Sequence, residues 1–178
     1  MSRSLISLAP FDDDGALRVV VESPRGSRMK ISYDPKIRAF TISRELPLGV
    51  AYPFDWGFIP GTRGDDGDPL DALVIHHHAT YPGVVLPCRI LGMVEIEQRD
   101  QGSRRGKPEV NNRIIAVPDW DQTVGTLEDI GDIPEMSRRQ IEHFFVAAVA
   151  FTGKQLTVKG WASRAMSERF VRAQRTGV

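Results

Sequence analysis

The chain has 178 residues, with 23 Lys and Arg against 23 Asp and Glu. It is long enough for one compact core, and it carries no net field that would hold it on nucleic acid or an anionic membrane. Its one cysteine, Cys88, excludes an intramolecular disulfide framework and a cysteine-rich zinc site. The opening MSRSLISLAPFDDDG is too broken by Ser and Pro for a signal-peptide core, and no apolar run is long enough to span a bilayer. We therefore expect a cytoplasmic protein with neither nucleic-acid nor membrane partners.

In chain order, an acidic leader over 1–16 precedes a single expected domain over 17–178. Short Val- and Ile-rich runs predict strands at Leu17 to Glu22, Met29 to Tyr33, Ala39 to Ser43, Ala72 to Ile75, Val84 to Ile96 and Arg113 to Val117. Gly, Pro and Asp signals separate them. Polar residues with Gly and Pro over Gln98 to Asn112 predict an exposed hairpin loop. Farther on, Asp132-Ile133-Pro134-Glu135 has the pattern of a helix start, with Asp132 as cap and Glu135 completing a capping box. Ile141, Phe144, Phe145 and Ala148 follow at helical spacing and predict one apolar face. A last strand, Gln155 to Val158, leads through Gly160 and Trp161 into an Arg-rich helix. The expected class is α+β, mainly β: a small antiparallel, OB-like barrel with two flanking C-terminal helices.

The chemically informative segment is Gly64-Asp65-Asp66-Gly67-Asp68-Pro69-Leu70-Asp71. Gly67 and Pro69 restrict the backbone so that Asp66, Asp68 and Asp71 can converge, as a hard cation with oxygen ligands requires. A solvated acidic turn accounts for the same pattern. A calcium-binding helix-loop-helix does not, because no closing glutamate and no paired helices flank the turn. His76-His77-His78 supplies two imidazoles on one face of a strand but no third ligand at a zinc spacing. Cys88, in an apolar stretch, reads as a buried, inert thiol.

Asp66-Gly67-Asp68-Pro69-Leu70-Asp71 resembles D-x-D-P-x-D, the signature of the family I soluble inorganic pyrophosphatases. The flanks agree in order: Glu22 in VVVESP, Lys30, Arg44 in ISRELP, Tyr52-Pro53 before Trp56-Gly57-Phe58-Ile59, and Ile114 to Pro118. Asp132 to Glu135, Gln140 to Phe145 and Val158 to Trp161 continue the resemblance. It covers nearly the whole chain from about Leu17 to Trp161. The resemblance implies Mg2+-dependent hydrolysis of pyrophosphate to two phosphates. It implies Mg2+ on Asp66 and Asp71, with Asn111 at a ligand position and Glu22 acting through a water. Asp68 would be the general base, and Lys30, Arg44, Tyr52 and Arg113 would hold phosphate oxygens. It further implies a homo-oligomer, commonly a hexamer in bacteria.

Several positions depart from the family pattern. Ser32 replaces a glutamate, Trp56 a tyrosine, and Arg113 a lysine; Gln98 and Asn111 align with aspartates. Ala148 and Val149 stand in place of a Tyr-Lys pair. The amides lose negative charge for metal, and the lost Tyr and Lys remove donors to phosphate, so reduced turnover is expected. Glu95, Glu97, Asp100 and Glu109, in or beside the loop, offer either compensating carboxylates or a solvated charged hairpin. Two other outcomes remain open: a degenerate homologue that binds phosphate compounds or assembles with partners, and a hydrolase of a larger diphosphate admitted by the Ala148–Val149 wall.

Overall fold

In the computed structural model, residues 4–100 and 108–176 are described. Nine strands run in chain order as β1 (Leu17–Ser23), β2 (Met29–Asp34), β3 (Ala39–Glu45), β4 (Asp55–Phe58), β5 (Asp71–Val74), β6 (Val85–Asp100), β7 (Glu109–Val110), β8 (Arg113–Pro118) and β9 (Lys154–Ser163). Helix α1 (Glu135–Ala148) lies between β8 and β9, and α2 (Arg164–Ala173) follows β9.

Strands β1, β4, β5, β8 and β6 form a ring, closed by the pairing of β6 back onto β1. The expected small barrel with two helices is what this ring and α1 and α2 make. One pair departs from the antiparallel expectation: β5 and β8 run parallel, with Asp71 opposite Arg113. The cause is connectivity, because β6 intervenes in the chain and pairs antiparallel with β8, which returns β8 in the direction of β5.

β6 is the spine of the molecule. It pairs with β1, β7, β8 and β9, and irregularities at Ile90/Gly92 and Glu95/Ile96 let so long a strand bend between them. β2 and β3 make a separate hairpin. Gly57 on β4 marks the closest strand contact, since a Cβ there would lie 2.0 Å from the Val20 carbonyl oxygen on β1.

The central strands bury both faces, which is why they read as continuous apolar runs. Leu73, Ile115 and Val117 belong to one core cluster, covered by Ile141, Phe144 and Phe145 of α1. Their neighbours Ala72, Val74, Ile114 and Ala116 belong to a second, closed by Val171 of α2.

Four local expectations are revised. β4, too short and too mixed in composition to stand out, was not expected. The capping box lies one turn earlier than expected: Asp129 caps a single 3-10 turn over Ile130–Asp132, and the Asp132 carboxylate accepts from the N–H groups of Glu128 and Asp129. α1 itself starts after Pro134 with no side-chain cap. The last strand extends to Ser163, through Gly160 and Trp161, because β6 is long enough to pair with all of it. Of the expected 98–112 loop, Gln98 to Asp100 continue β6 and Glu109–Val110 form β7, while 101–107 lie outside the described residues.

Candidate active site

The acidic turn joins β4 to β5 and is held by its own backbone. Gly64 N–H donates to the Asp68 carbonyl at 2.7 Å, and Gly67 N–H to the Gly64 carbonyl at 3.1 Å. Gly67 takes φ +88°, a conformation that favours glycine. The Asp66 carboxylate accepts from the Asp68 N–H at 3.1 Å, an Asx turn that aims both acids outward. Asp66 and Asp68 are exposed, whereas Asp71, first residue of β5, is half-buried.

The parallel register sets Asp71 beside Arg113, the first residue of β8, whose side chain is almost fully buried. One terminal nitrogen of the Arg113 guanidinium donates to both Asp71 and the Asn111 side-chain oxygen. The same guanidinium lies 5.2 Å from the Trp56 ring centroid. Asn111 in turn donates to Gln98 at 3.4 Å, and Gln98 is buried, contrary to its expected place in an exposed loop.

Cations meet on the other side. Lys30 and Arg44 face each other across β2 and β3. With Tyr52, Trp56 and Arg113 they line a cavity of about 50 Å3, whose far wall is Phe144, Phe145, Ala148, Val149 and Leu156. Arg44 also donates to the Ala148 carbonyl at 2.7 Å, tying the hairpin to the end of α1. Tyr52 packs against Phe144 with centroids 5.3 Å apart. Burial pushes the Tyr52 hydroxyl up to about 12 against the lowering effects of Ser23 and Arg44, so it remains a proton donor at neutral pH.

Glu22, on β1, is buried and accepts from the Tyr33 N–H at 2.7 Å. Burial raises its carboxyl to about 7; the Tyr33 bond opposes this, while the charges of Asp71 and Asp68 add to it. Burial likewise pushes Asp71 up, with Arg113 and Lys30 opposing and Asp66 and Asp68 reinforcing. These acids are close enough to repel one another.

That mutual repulsion and the hard oxygen donors are what a divalent cation relieves, so the set fits such an ion in chemistry and charge. The geometry is not yet closed around one: among the described residues, no three His, Cys, Asp or Glu side chains gather as a ligand group. Arg113 holds the inward acid, and the two outward acids stand apart from it.

The Ser32 hydroxyl accepts a hydrogen bond from the Ser43 hydroxyl at 3.0 Å. Glu97 pairs with Lys159, and none of Glu95, Glu97, Asp100 and Glu109 lines the cavity. The histidines do not share a strand face, because β5 ends at Val74. His76 is buried and donates from Nε2 to the Asp55 carboxylate at 2.9 Å, while His77 and His78 are exposed. Asp55 also accepts from Thr80 at 2.6 Å and from the Arg25 N–H at 2.7 Å. This buried network, next in sequence to Trp56, was missed by sequence reasoning. An acid between Phe54 and Trp56 was the only signal for it.

A family profile described as Inorganic pyrophosphatase matches residues 19–176. The chain is 39% identical over 160 residues to the inorganic pyrophosphatase of Thermus thermophilus, covering 88% of this chain and 87% of that one. It is 37% identical over 159 residues to the inorganic pyrophosphatase of Leifsonia xyli subsp. xyli, covering 89% and 93%. The crystal structure of the Thermus thermophilus inorganic pyrophosphatase superposes with a TM-score of 0.87 over 97% of both chains, at 37% identity.

Proposed function

The chain belongs to the inorganic pyrophosphatase family, family I, and on that premise we propose that it hydrolyses inorganic pyrophosphate to two phosphates with Mg2+ beside the 64–71 turn. The observation that carries this reading is the cavity in which Lys30, Arg44, Arg113 and Tyr52 meet, next to an acid turn whose carboxylates repel one another. Cations and acids side by side suit a substrate that is itself a polyanion accompanied by a divalent ion.

In this reading Asp66 and Asp71 would hold Mg2+, with Glu22 acting through a water and Asn111 at the margin of the site. The ion, when bound, supplies positive charge toward phosphate oxygens and makes water a better nucleophile. Asp68, exposed on the turn, takes the proton from the water that attacks phosphorus. The bridging P–O bond breaks and the second phosphate leaves. Lys30 and Arg44 hold its oxygens, Arg44 as a fork and Lys30 as a point charge. The Tyr52 hydroxyl donates a further hydrogen bond, which its raised pKa preserves.

The site works below the capacity of a complete acid and donor set. Ala148 and Val149 give the cavity an apolar wall that offers no donor to developing charge. In the same reading the single pyrophosphatase-like domain over 17–178 assembles as a homo-oligomer, the hexamer being the common form among bacterial members of the family. No helix among the described residues is long and apolar enough to cross a membrane.

Phosphate release from pyrophosphate, compared with nucleoside di- and triphosphates across a Mg2+ series, tests the reading. Release confined to pyrophosphate and dependent on Mg2+ is expected. Preference for a nucleotide or other larger diphosphate overturns the substrate, and no release at any Mg2+ concentration marks a degenerate homologue.

A further inference from the structure

Arg113 is a buried cation bonded to an acid that the preceding reading gives to the divalent ion. Its terminal nitrogen donates to Asp71 and to Asn111, and no described carboxylate other than Asp71 pairs with it. Its Nε is buried with no hydrogen-bond partner. An arginine bonded through one terminal nitrogen while its buried Nε has no partner has something to gain by moving. The direction open to it is visible, because the guanidinium already lies over Trp56 and lines the cavity shared with Lys30, Arg44 and Tyr52.

We propose that Arg113 is a built-in counter-cation of the acid cluster, and that its guanidinium and a divalent ion are mutually exclusive on Asp71. The proposal rests on the reading that Asp71 is where the ion binds. Two positive groups cannot share one half-buried carboxylate without repulsion in a low-dielectric site. Asn111, with its amide oxygen spent on Arg113 and its amide nitrogen on Gln98, serves in the ion-free chain as the second jaw of the clamp. With Asp71 given over to the ion, the guanidinium would be free to serve the phosphate cavity that it already lines beside Trp56. Metal occupancy and the placing of a phosphate-binding cation are thereby one event, and the affinity for metal alone is lower than the acids would otherwise give.

Calorimetric titration of the substrate-free full chain with Mg2+ alone tests this. Asn111→Ala removes one jaw without changing net charge, and we expect Mg2+ to bind about five-fold tighter or more, the scale of ordinary coupling between two ligands. Arg113→Gln removes the competitor and should tighten binding further. Asp71→Asn should abolish it. Weaker Mg2+ binding by Asn111→Ala would mean that Asn111 serves the ion directly, and unchanged or weaker binding by a folded Arg113→Gln would mean that Arg113 supports the ion. Either result overturns the clamp while leaving the metal assignment intact. If Asp71→Asn binds Mg2+ as the unaltered chain does, the ion is not on Asp71, and both the assignment and the competition fall.

Discussion

Under the proposed function, Asp68 is the residue whose substitution should separate binding from chemistry. An amide keeps the shape of the carboxylate and cannot accept a proton, so Asp68→Asn should lose about 100-fold or more in turnover. Phosphate binding, measured by calorimetry, should be nearly unchanged, since Lys30, Arg44 and Tyr52 are untouched. Retained turnover would assign the base elsewhere. Asp55 governs stability in a different way. Burial alone would raise its carboxyl, but hydrogen bonds from His76, Thr80 and the Arg25 N–H outweigh that and hold it below the ordinary value. A depressed folded pKa stabilises the chain at pH values above the unfolded pKa, and the contribution is lost as pH falls through the folded one. Melting of Asp55→Asn against the unaltered chain should therefore show the variant clearly less stable at pH 7, by about 1–3 kcal/mol. The gap should narrow from about pH 5 downward; a gap that widens on acidification would contradict the assignment. The two residues differ in legibility. Asp68 stands in a six-residue motif, whereas the partner of Asp55 lies 21 positions away, and only the antiparallel pairing of β4 and β5 brings His76 within reach.

The end of α1 is where the element scale meets the site. Ile141, Phe144 and Phe145 fasten the helix to the barrel, and their helical spacing makes this face legible in the sequence itself. Ile141 is 2% exposed, so Ile141→Ala should cost about 2–5 kcal/mol in denaturant unfolding. The helix start was misplaced because Asp132 has the right type and spacing for a cap, yet its carboxylate is committed to the turn before it. At the other end, the Ala148 carbonyl accepts from Arg44, so the backbone of the helix positions the cation that the proposed function assigns to phosphate, even where its side chains offer no donor. Restoring donors with Ala148→Tyr and Val149→Lys should raise turnover about 10-fold or more, since a single donor to developing charge can be worth this much. No gain, with folding intact, would mean that the apolar wall suits the substrate as it stands. The parallel β5–β8 pair was not legible in short apolar runs, which carry no direction. It is nonetheless the contact that puts Asp71 opposite Arg113.

At the scale of the whole molecule, the proposed homo-oligomer is tested by mass, since single exposed apolar side chains such as Leu48 and Phe151 do not by themselves mark an interface. Sedimentation at working concentration should give a multiple of the 19.8 kDa chain mass, and a monomer would contradict the proposed homo-oligomer. The ring of strands and the separate β2–β3 hairpin together bring groups far apart in sequence to the site: Glu22 from β1, Lys30 and Arg44 from the hairpin, Trp56 from β4, Asp71 from β5 and Arg113 from β8. The most direct measurement of what this assembly does is steady-state phosphate release from inorganic pyrophosphate, with Mg2+ and after its removal by a chelator, for the unaltered chain and for Asp71→Asn. The account predicts release that needs Mg2+ and falls about 100-fold or more in the variant. Release that persists without divalent metal, or that is equal in the two chains, would contradict it.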